Sequence, residues 1–351
     1  MGNTISLKVK DVVRETSDAV TLHFKQPLFR KVKYKPGQFL TLNLNIDGKK
    51  VSRSYSMSSA PNLDNTVAVT VKKVEGGVAS NYINNEVKPG DTISMMEPVG
   101  NFTLVPDKNL KRHIVLFGAG SGITPLMSIL KSVLFFEPAS TVSLVYGNRR
   151  IDNIIFKEKL QELKNKFGER FNLVYCLTQP DRSWNGLSGR IDEAVTVNVI
   201  NMLPKFDETS TEYFLCGPDG MMENVKAGLK RVKVPKDKIH IESFTSSNES
   251  EEALAQLGDI STAEVTVLLN GEEHKVTVPP DKSILDAALD QGLDMPFSCQ
   301  SGLCTACRCH VKSGEVKMTE SDGLTEEELK EGYVLICVGH PASNDIVIEP
   351  N

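Results

Sequence analysis

The amino-acid sequence predicts a multidomain protein with an antiparallel β-barrel, an α/β doubly wound domain and a third domain built around a cysteine-rich loop. Three observations support this fold class. Short alternating runs fill residues 1–107, strand and helix patterns alternate over residues 108–244, and closely spaced cysteines lie within residues 261–351. A polar stretch over residues 245–260 is predicted to be a linker. With 351 residues, 40% of them hydrophobic, the chain is long enough for two or three cores.

The barrel prediction rests on alternating runs that end at turn residues, such as residues 39–44 before Asp47 and Gly48. Within it, residues 53–56 read Arg-Ser-Tyr-Ser. Alternate side chains of a strand face the same side, so this segment offers one ligand a cation, hydroxyls and an aromatic ring. A flavin needs that combination. The alternative is an ordinary strand that happens to contain a tyrosine.

A second binding signal in the barrel is the glycine pair Gly76 and Gly77, which precedes a predicted helix running through Ile83. The first N–H groups of a helix have no partner within the helix, so a helix start preceded by glycines is an anion site. The candidate binding residues here are Gly77, Val78, Ala79 and Ser80.

The α/β domain opens with a predicted strand, residues 113–117, followed by a glycine-rich turn and a helix from about Pro125 to Leu134. This order is typical of a dinucleotide-binding turn, although Ile123 replaces the usual third glycine. Strand-turn-helix glycines also serve packing alone, which is the alternative. The candidate nucleotide-binding residues are Gly118, Gly120, Ser121, Gly122, Thr124 and Pro125.

Two later strands of this domain are predicted to end beside the same crevice. Arg149 and Arg150 follow the strand at residues 141–146, where a site that prefers NADH would carry an acidic residue. The two arginines therefore favour the 2′-phosphate of NADPH over NADH, or else form a solvated surface pair. Cys216, Gly217 and Pro218 follow the strand at residues 213–216, although Cys216 also suits a buried core position.

The third domain contains four cysteines with ferredoxin spacing. Cys299, Cys304 and Cys307 follow the pattern C-x4-C-x2-C, and Cys337 lies farther along the chain. This spacing predicts a [2Fe-2S] cluster. A structural zinc is the alternative, but zinc sites usually contain two short C-x2-C pairs. Cys309 does not fit the pattern and is predicted not to be a ligand.

The remaining cysteines and the lengths of the apolar runs indicate where in the cell the protein is located. Cys176, Cys216 and Cys309 are an odd remainder that argues against a disulfide framework, and no charged-then-apolar leader precedes the first predicted strand. We therefore expect a cytoplasmic protein. No apolar run approaches the roughly 18 residues that cross a bilayer, so no membrane insertion is expected.

Together these motifs resemble the ferredoxin–NADP reductase superfamily, specifically the oxygenase reductases with a C-terminal plant-type ferredoxin domain. The resemblance covers essentially the whole chain and implies an α+β (β-grasp) fold for residues 261–351. It implies that Arg53 holds a flavin phosphate, that Tyr55 flanks the isoalloxazine and that Ser56 lies near its N5. It also implies FAD, with FMN as the alternative because some members use FMN. The candidate catalytic residues are Tyr55, Ser56, Cys216 and Glu242, and the remaining candidate cofactor contacts are Ser54 and Phe244.

The expected function is transfer of electrons from NADPH, through flavin and cluster, one at a time to a partner oxygenase, hydroxylase or desaturase. Two alternatives remain open. A diaphorase-like reductase would pass electrons to diffusible acceptors, and a redox sensor would use the cluster state as a signal. No nucleic-acid-binding motif supports the sensor, so no nucleic-acid partner is expected.

Overall fold

The computed structural model describes residues 4–27, 31–204, 210–244, 261–269, 271–293, 295–297, 299–300, 302, 304–321 and 323–350. The predicted linker, residues 245–260, lies outside the described residues. None of the helices in these ranges is long and apolar enough to cross a membrane. The predicted fold class, three differently built domains in this order, is confirmed.

The first domain is an antiparallel six-stranded sheet that curls into a barrel. The strand order is 4-3-6-1-2-5, and an isolated bridge from Met57 to Val69 joins its two edges. Asp47 and Gly48, both with positive φ, form the two-residue turn that pairs the third and fourth strands, as the twist of a hairpin favours. The elements are β1 (Thr4–Thr16), β2 (Ala19–Lys25), β3 (Phe39–Ile46), β4 (Lys49–Ser56), β5 (Thr66–Lys72), α1 (Val78–Asn85) and β6 (Thr92–Met96).

The second domain is a parallel six-stranded sheet of order 10-9-8-7-11-12. Its central strands are buried on both faces: in the strand His113–Ala119, Ile114 and Leu116 join one hydrophobic cluster while Val115 and Phe117 join another. The chain leaves β7 first toward β8 and later returns to its other side as β11, so the topological switch point lies between β7 and β11. The elements are β7 (His113–Ala119), α2 (Ile123–Phe136), β8 (Thr141–Asn148), α3 (Lys157–Phe167), β9 (Phe171–Leu177), β10 (Leu187–Ser188), α4 (Glu193–Met202), β11 (Thr211–Cys216), α5 (Asp219–Arg231) and β12 (Ile239–Glu242).

The third domain is a mixed five-stranded sheet of order 14-13-19-15-17, with a separate two-stranded ribbon. Strands 13 and 19 pair in parallel and the other pairs are antiparallel. Its core contains Cys307, Cys309 and Cys337 among aliphatic side chains. The elements are β13 (Ala263–Leu269), β14 (Glu272–Val278), α6 (Ile284–Asp290), β15 (Arg308–Ser313), β16 (Val316–Met318), α7 (Glu326–Lys330), β17 (Tyr333–Leu335), β18 (Gly339–Pro341) and β19 (Ile346–Pro350).

The first two domains share an interface along α2. Ser128 donates a hydrogen bond of 2.6 Å to the carbonyl of Ser59, and Lys131 forms an ion pair with Asp64. The Lys131 side chain is 11% exposed, so this pair is screened less than a surface pair. These contacts fix the helix that follows the glycine-rich turn against the barrel.

Candidate functional site

A cavity of about 500 Å³ lies where the three domains meet. The barrel contributes β4 and the start of α1, the α/β domain contributes its glycine-rich turn and its end after β12, and the third domain contributes its cysteine loop. The lining residues are Phe39, Arg53, Ser54, Tyr55, Ser56, Thr70, Lys72, Val74, Gly76, Gly77, Val78, Ala79, Ser80, Ser121, Thr124, Glu242, Ser243, Phe244, Cys299 and Gln300.

The flavin-type segment, residues 53–56, forms the end of β4, and all four of its residues line the cavity. Burial raises the pKa of Tyr55 to about 12, so at neutral pH its hydroxyl remains a hydrogen-bond donor. The Arg53 guanidinium donates a 2.7 Å hydrogen bond to the carbonyl of Ser52 and has no carboxylate partner among the described residues. The cavity wall therefore combines a half-buried cation with a neutral phenol.

The start of α1 gives the cavity a set of backbone donors. Gly77 is the N-cap residue, its backbone is extended, and no side chain caps the helix. A Cβ at Gly77 would approach the Ser80 hydroxyl to 2.7 Å, so glycine keeps this turn tight. Lys72 also lines the cavity, 3.5 Å from a carboxylate oxygen of Asp18. The helix start and Lys72 place positive potential where a cofactor phosphate would lie.

The glycine-rich turn lies at the switch point of the parallel sheet, where nucleotides bind in such folds. A Cβ at Gly122 would lie 1.9 Å from the carbonyl oxygen of Cys216, and Gly118 pairs with Cys216 across β7 and β11. The predicted turn and the predicted Cys216–Pro218 loop are therefore in direct backbone contact. The Tyr146 hydroxyl donates a 2.8 Å hydrogen bond to the carbonyl of Gly120, and this bond stabilises the turn.

Arg149 and Arg150 follow β8, the strand next to β7, and both are exposed. They differ in their partners. Arg150 lies 3.5 Å from carboxylate oxygens of Asp152 and Asp181, whereas Arg149 has no ion pair in the part of the chain that the structure describes. Arg149 therefore has more of its charge available for a ligand.

The thiols of the cysteine loop converge with that of Cys337. Cys299 lies close enough to Cys304 and Cys337, and Cys307 to Cys337, to shift the pKa of Cys304 and of Cys337. These thiol contacts, together with burial, raise the pKa of Cys304 and of Cys337. Four crowded thiols become thiolates together only when a cation neutralises them. The iron ions of a [2Fe-2S] cluster would do so, and the donor set therefore fits that group.

Cys309 lies apart from these four. It is fully buried on β15, within the hydrophobic core of the third domain, and its thiol contacts the carbonyl of Cys307 at 3.8 Å. Burial raises the pKa of this thiol, which disfavours a thiolate there. The assignment of Cys309 as a non-ligand remains a prediction.

Glu242 connects the α/β domain to the cysteine loop. It ends β12, pairs with Cys216 of β11 and is 8% exposed. Burial, with a smaller contribution from Cys299, raises its pKa to about 8. Near neutral pH its carboxyl group therefore holds a proton inside the cavity. Phe244 follows it at the cavity wall and is half-exposed.

Models of three domain families match the chain in the order that the structure shows. An oxidoreductase FAD-binding domain matches residues 6–104, an oxidoreductase NAD-binding domain matches residues 116–227, and a 2Fe-2S iron-sulfur cluster binding domain matches residues 267–342. A 1,2-phenylacetyl-CoA epoxidase component from Escherichia coli (strain K12) is 35% identical over 98% of this chain and 97% of that protein. The chain belongs to the ferredoxin–NADP reductase superfamily.

Two further proteins match nearly the whole chain. The ferredoxin reductase component of 3-ketosteroid-9-alpha-monooxygenase from Rhodococcus rhodochrous is 36% identical over 99% of this chain and 97% of that protein. The solved structure of phthalate dioxygenase reductase superposes with a TM-score of 0.62 at 20% identity, over 99% of this chain and 98% of that one, and shares the fold. The chain is therefore an NAD(P)H-dependent oxidoreductase with FAD-binding and [2Fe-2S] domains.

Within this reductase the predicted site residues fall into two groups. One group lines the cavity: residues 53–56, 77–80, Ser121, Thr124, Glu242, Phe244 and Cys299. The other does not line it: the turn residues Gly118, Gly120, Gly122 and Pro125 with the Cys216–Pro218 loop, the arginines after β8, and the three buried thiols. Sequence reasoning missed Lys72, which belongs to no motif, and Gln300, which lies inside the C-x4-C loop but is not a ligand type.

Proposed function

We propose that this reductase takes electrons from NADPH and passes them, through FAD and a [2Fe-2S] cluster, one at a time to a separate oxygenase, hydroxylase or desaturase. The observation that carries the proposal is the shared cavity. The flavin-type strand, the nucleotide turn and the cysteine loop all contribute to its wall, so bound groups at the three sites would be neighbours.

Bound FAD and the cluster supply the electron chemistry, because a flavin accepts two electrons as hydride and a [2Fe-2S] cluster carries one at a time. The chain supplies the rest. Arg53, Lys72 and the start of α1 offer positive charge for phosphates, and Tyr55 offers a neutral donor. The protonated carboxyl of Glu242 adds a buried donor beside Cys299.

An oxygenase partner is supported by the relatives. Those that match nearly the whole chain are reductase components of monooxygenases and a component of an epoxidase, and the glycine betaine monooxygenase reductase from Chromohalobacter salexigens is a further case at 32% identity. The cytoplasm is supported by the thiols. None of the seven cysteines, all of which lie within the described residues, forms a disulfide, as expected in a reducing compartment.

The NADPH preference rests mainly on Arg149, since Arg150 is already paired with two aspartates. Steady-state assays with an artificial acceptor would compare kcat/KM for NADPH and NADH. We expect Arg149→Ala to lower kcat/KM for NADPH by about tenfold to a hundredfold, the effect of one charge-assisted contact, and to leave the value for NADH nearly unchanged. Arg150→Ala is the matched variant, and a smaller loss is expected. Equal kcat/KM for both nucleotides in the unmodified protein would reject the preference.

The oxygenase role is tested by reconstitution. Purified oxygenase from the phenylacetyl-CoA epoxidase or ketosteroid monooxygenase system would be supplied with NADPH and this reductase in place of its own. Product formation that requires this reductase and is lost in Cys304→Ser would support the proposal. Rapid reduction of small acceptors, with no turnover by any oxygenase tested and full activity in Cys304→Ser, would instead favour the diaphorase-like alternative.

A further inference from the structure

A cation–π contact joins the flavin-type strand to the third domain. The guanidinium carbon of Arg53 lies 4.2 Å from the centre of the Phe297 ring. Arg53 belongs to β4 of the barrel, and Phe297 lies two residues before Cys299 in the chain. The residue that lines the cavity and the segment that leads into the cysteine loop are therefore in direct contact.

The geometry of this contact leaves hydrogen-bond donors of Arg53 available. The contact is made at the guanidinium carbon, and the guanidinium has five N–H donors, so one ring cannot use all of them. One of them donates to the carbonyl of Ser52, and no carboxylate takes the others within the described residues. The ring thus limits the orientations of a flexible, half-buried cation without occupying all of its N–H groups.

We infer that Phe297 is a positioning residue for the flavin site. Through this contact it orients the guanidinium toward the cavity, and it holds the cysteine loop against the flavin-type strand. The flavin site is then incomplete without a residue of the third domain. This inference rests on the proposed function, because it takes the anion in the cavity to be the phosphate of FAD.

The aromatic face of Phe297, and not its bulk, is the feature that this role requires. Phe297→Leu keeps an apolar side chain of similar size but removes the ring, whereas Phe297→Tyr and Phe297→Trp keep a ring that attracts a guanidinium. The chain also offers a matched control. Arg308 lies 4.8 Å from the Tyr333 ring inside the third domain, away from the cavity lining. Tyr333→Leu removes a cation–π pair from the same domain without touching Arg53.

The test is the affinity for FAD of full-length protein that retains its cluster but has been stripped of flavin, measured by quenching of flavin fluorescence. A desolvated cation–π contact predicts that Phe297→Leu raises the Kd for FAD by about twofold to thirtyfold. The tyrosine and tryptophan variants should bind FAD nearly as tightly as the unmodified protein, and so should Tyr333→Leu. Unchanged visible absorption of the cluster would show that each variant is folded.

A double-mutant cycle with Arg53→Lys then isolates the pair. Lysine keeps the charge and some attraction to the ring but lacks the planar guanidinium, so Phe297→Leu should have a smaller effect on the Kd in that background. A Kd for Phe297→Leu equal to that of the unmodified protein would overturn the inference, and so would an undiminished effect beside Arg53→Lys. If the unmodified protein bound no FAD at all, the proposed function itself would fail.

Discussion

Replacement of Gly122 by alanine tests how tightly the nucleotide crevice is built. Gly122 has an ordinary helical backbone conformation, so an alanine there suffers no dihedral strain. Its Cβ would instead lie 1.9 Å from the carbonyl oxygen of Cys216, and an ordinary contact begins at 3.4 Å. The turn and the Cys216 loop must therefore separate by about 1.5 Å, although β7 and β11 are paired just beside them. We expect a loss of about 1–3 kcal/mol in the free energy of unfolding, as for an overpacked core.

Gly122→Ala should also lower the activity of the protein that remains folded. A displacement of about 1 Å in a positioning element costs on the order of a hundredfold in rate, so kcat/KM for NADPH should fall by about that factor. Gly220→Ala is the matched control, because a Cβ at Gly220 meets nothing within 4 Å and alanine favours the helix. Steady-state kinetics would measure activity, and urea unfolding would be followed by Trp184, the single tryptophan of the chain. Gly122→Ala and Gly220→Ala variants with equal activity would refute the reasoning.

Two further predictions concern the thiols and a buried histidine. Cys304→Ser should abolish the visible absorption of the cluster, whereas Cys309→Ser should leave it intact; equal bleaching in both variants would show that the ligand assignment is wrong. Burial lowers the pKa of His113 to about 4 from 6.5, so the unfolded chain binds a proton more readily and stability falls as the pH decreases from 6.5 toward 4. By pH 5.5 the loss should reach about 1 kcal/mol and be absent in His113→Gln, as measured by urea unfolding with Trp184 fluorescence; parallel pH profiles of the two proteins would contradict this.

The sequence predicts the fold well where local pattern and buried surface agree. The central parallel strands of the second domain are apolar on both faces, and the hairpin at Asp47 and Gly48 forms where the turn residues predict it. The sequence predicts the first and last residues of helices less accurately. The second helix begins at Ile123 and not at Pro125, since a proline is tolerated in the first turn, and it ends at Phe136 and not at Leu134.

The sequence motifs predict which segments form the site, but they do not predict the contacts between those segments. Without its third glycine, the sequence of the turn is weak evidence for nucleotide binding. In the structure, however, a Cβ at Gly122 would lie 1.9 Å from the carbonyl oxygen of Cys216, at the end of the neighbouring strand. No sequence pattern indicates that Lys72 lines the cavity or that Phe297 stacks on Arg53. Those contacts depend on how separate domains pack, and neither spacing nor periodicity within one segment encodes that arrangement.

We propose that electrons from NADPH reach the cluster within one chain, because the flavin-type strand, the nucleotide turn and the cysteine loop border the same cavity. Anaerobic stopped-flow mixing of the full-length protein with one equivalent of NADPH, repeated over a wide range of protein concentration, tests it most directly. Flavin absorbance and cluster absorbance would be followed together. The account predicts that the cluster is reduced after the flavin at a rate that does not depend on protein concentration. A rate proportional to protein concentration, or a cluster that stays oxidised, would contradict it.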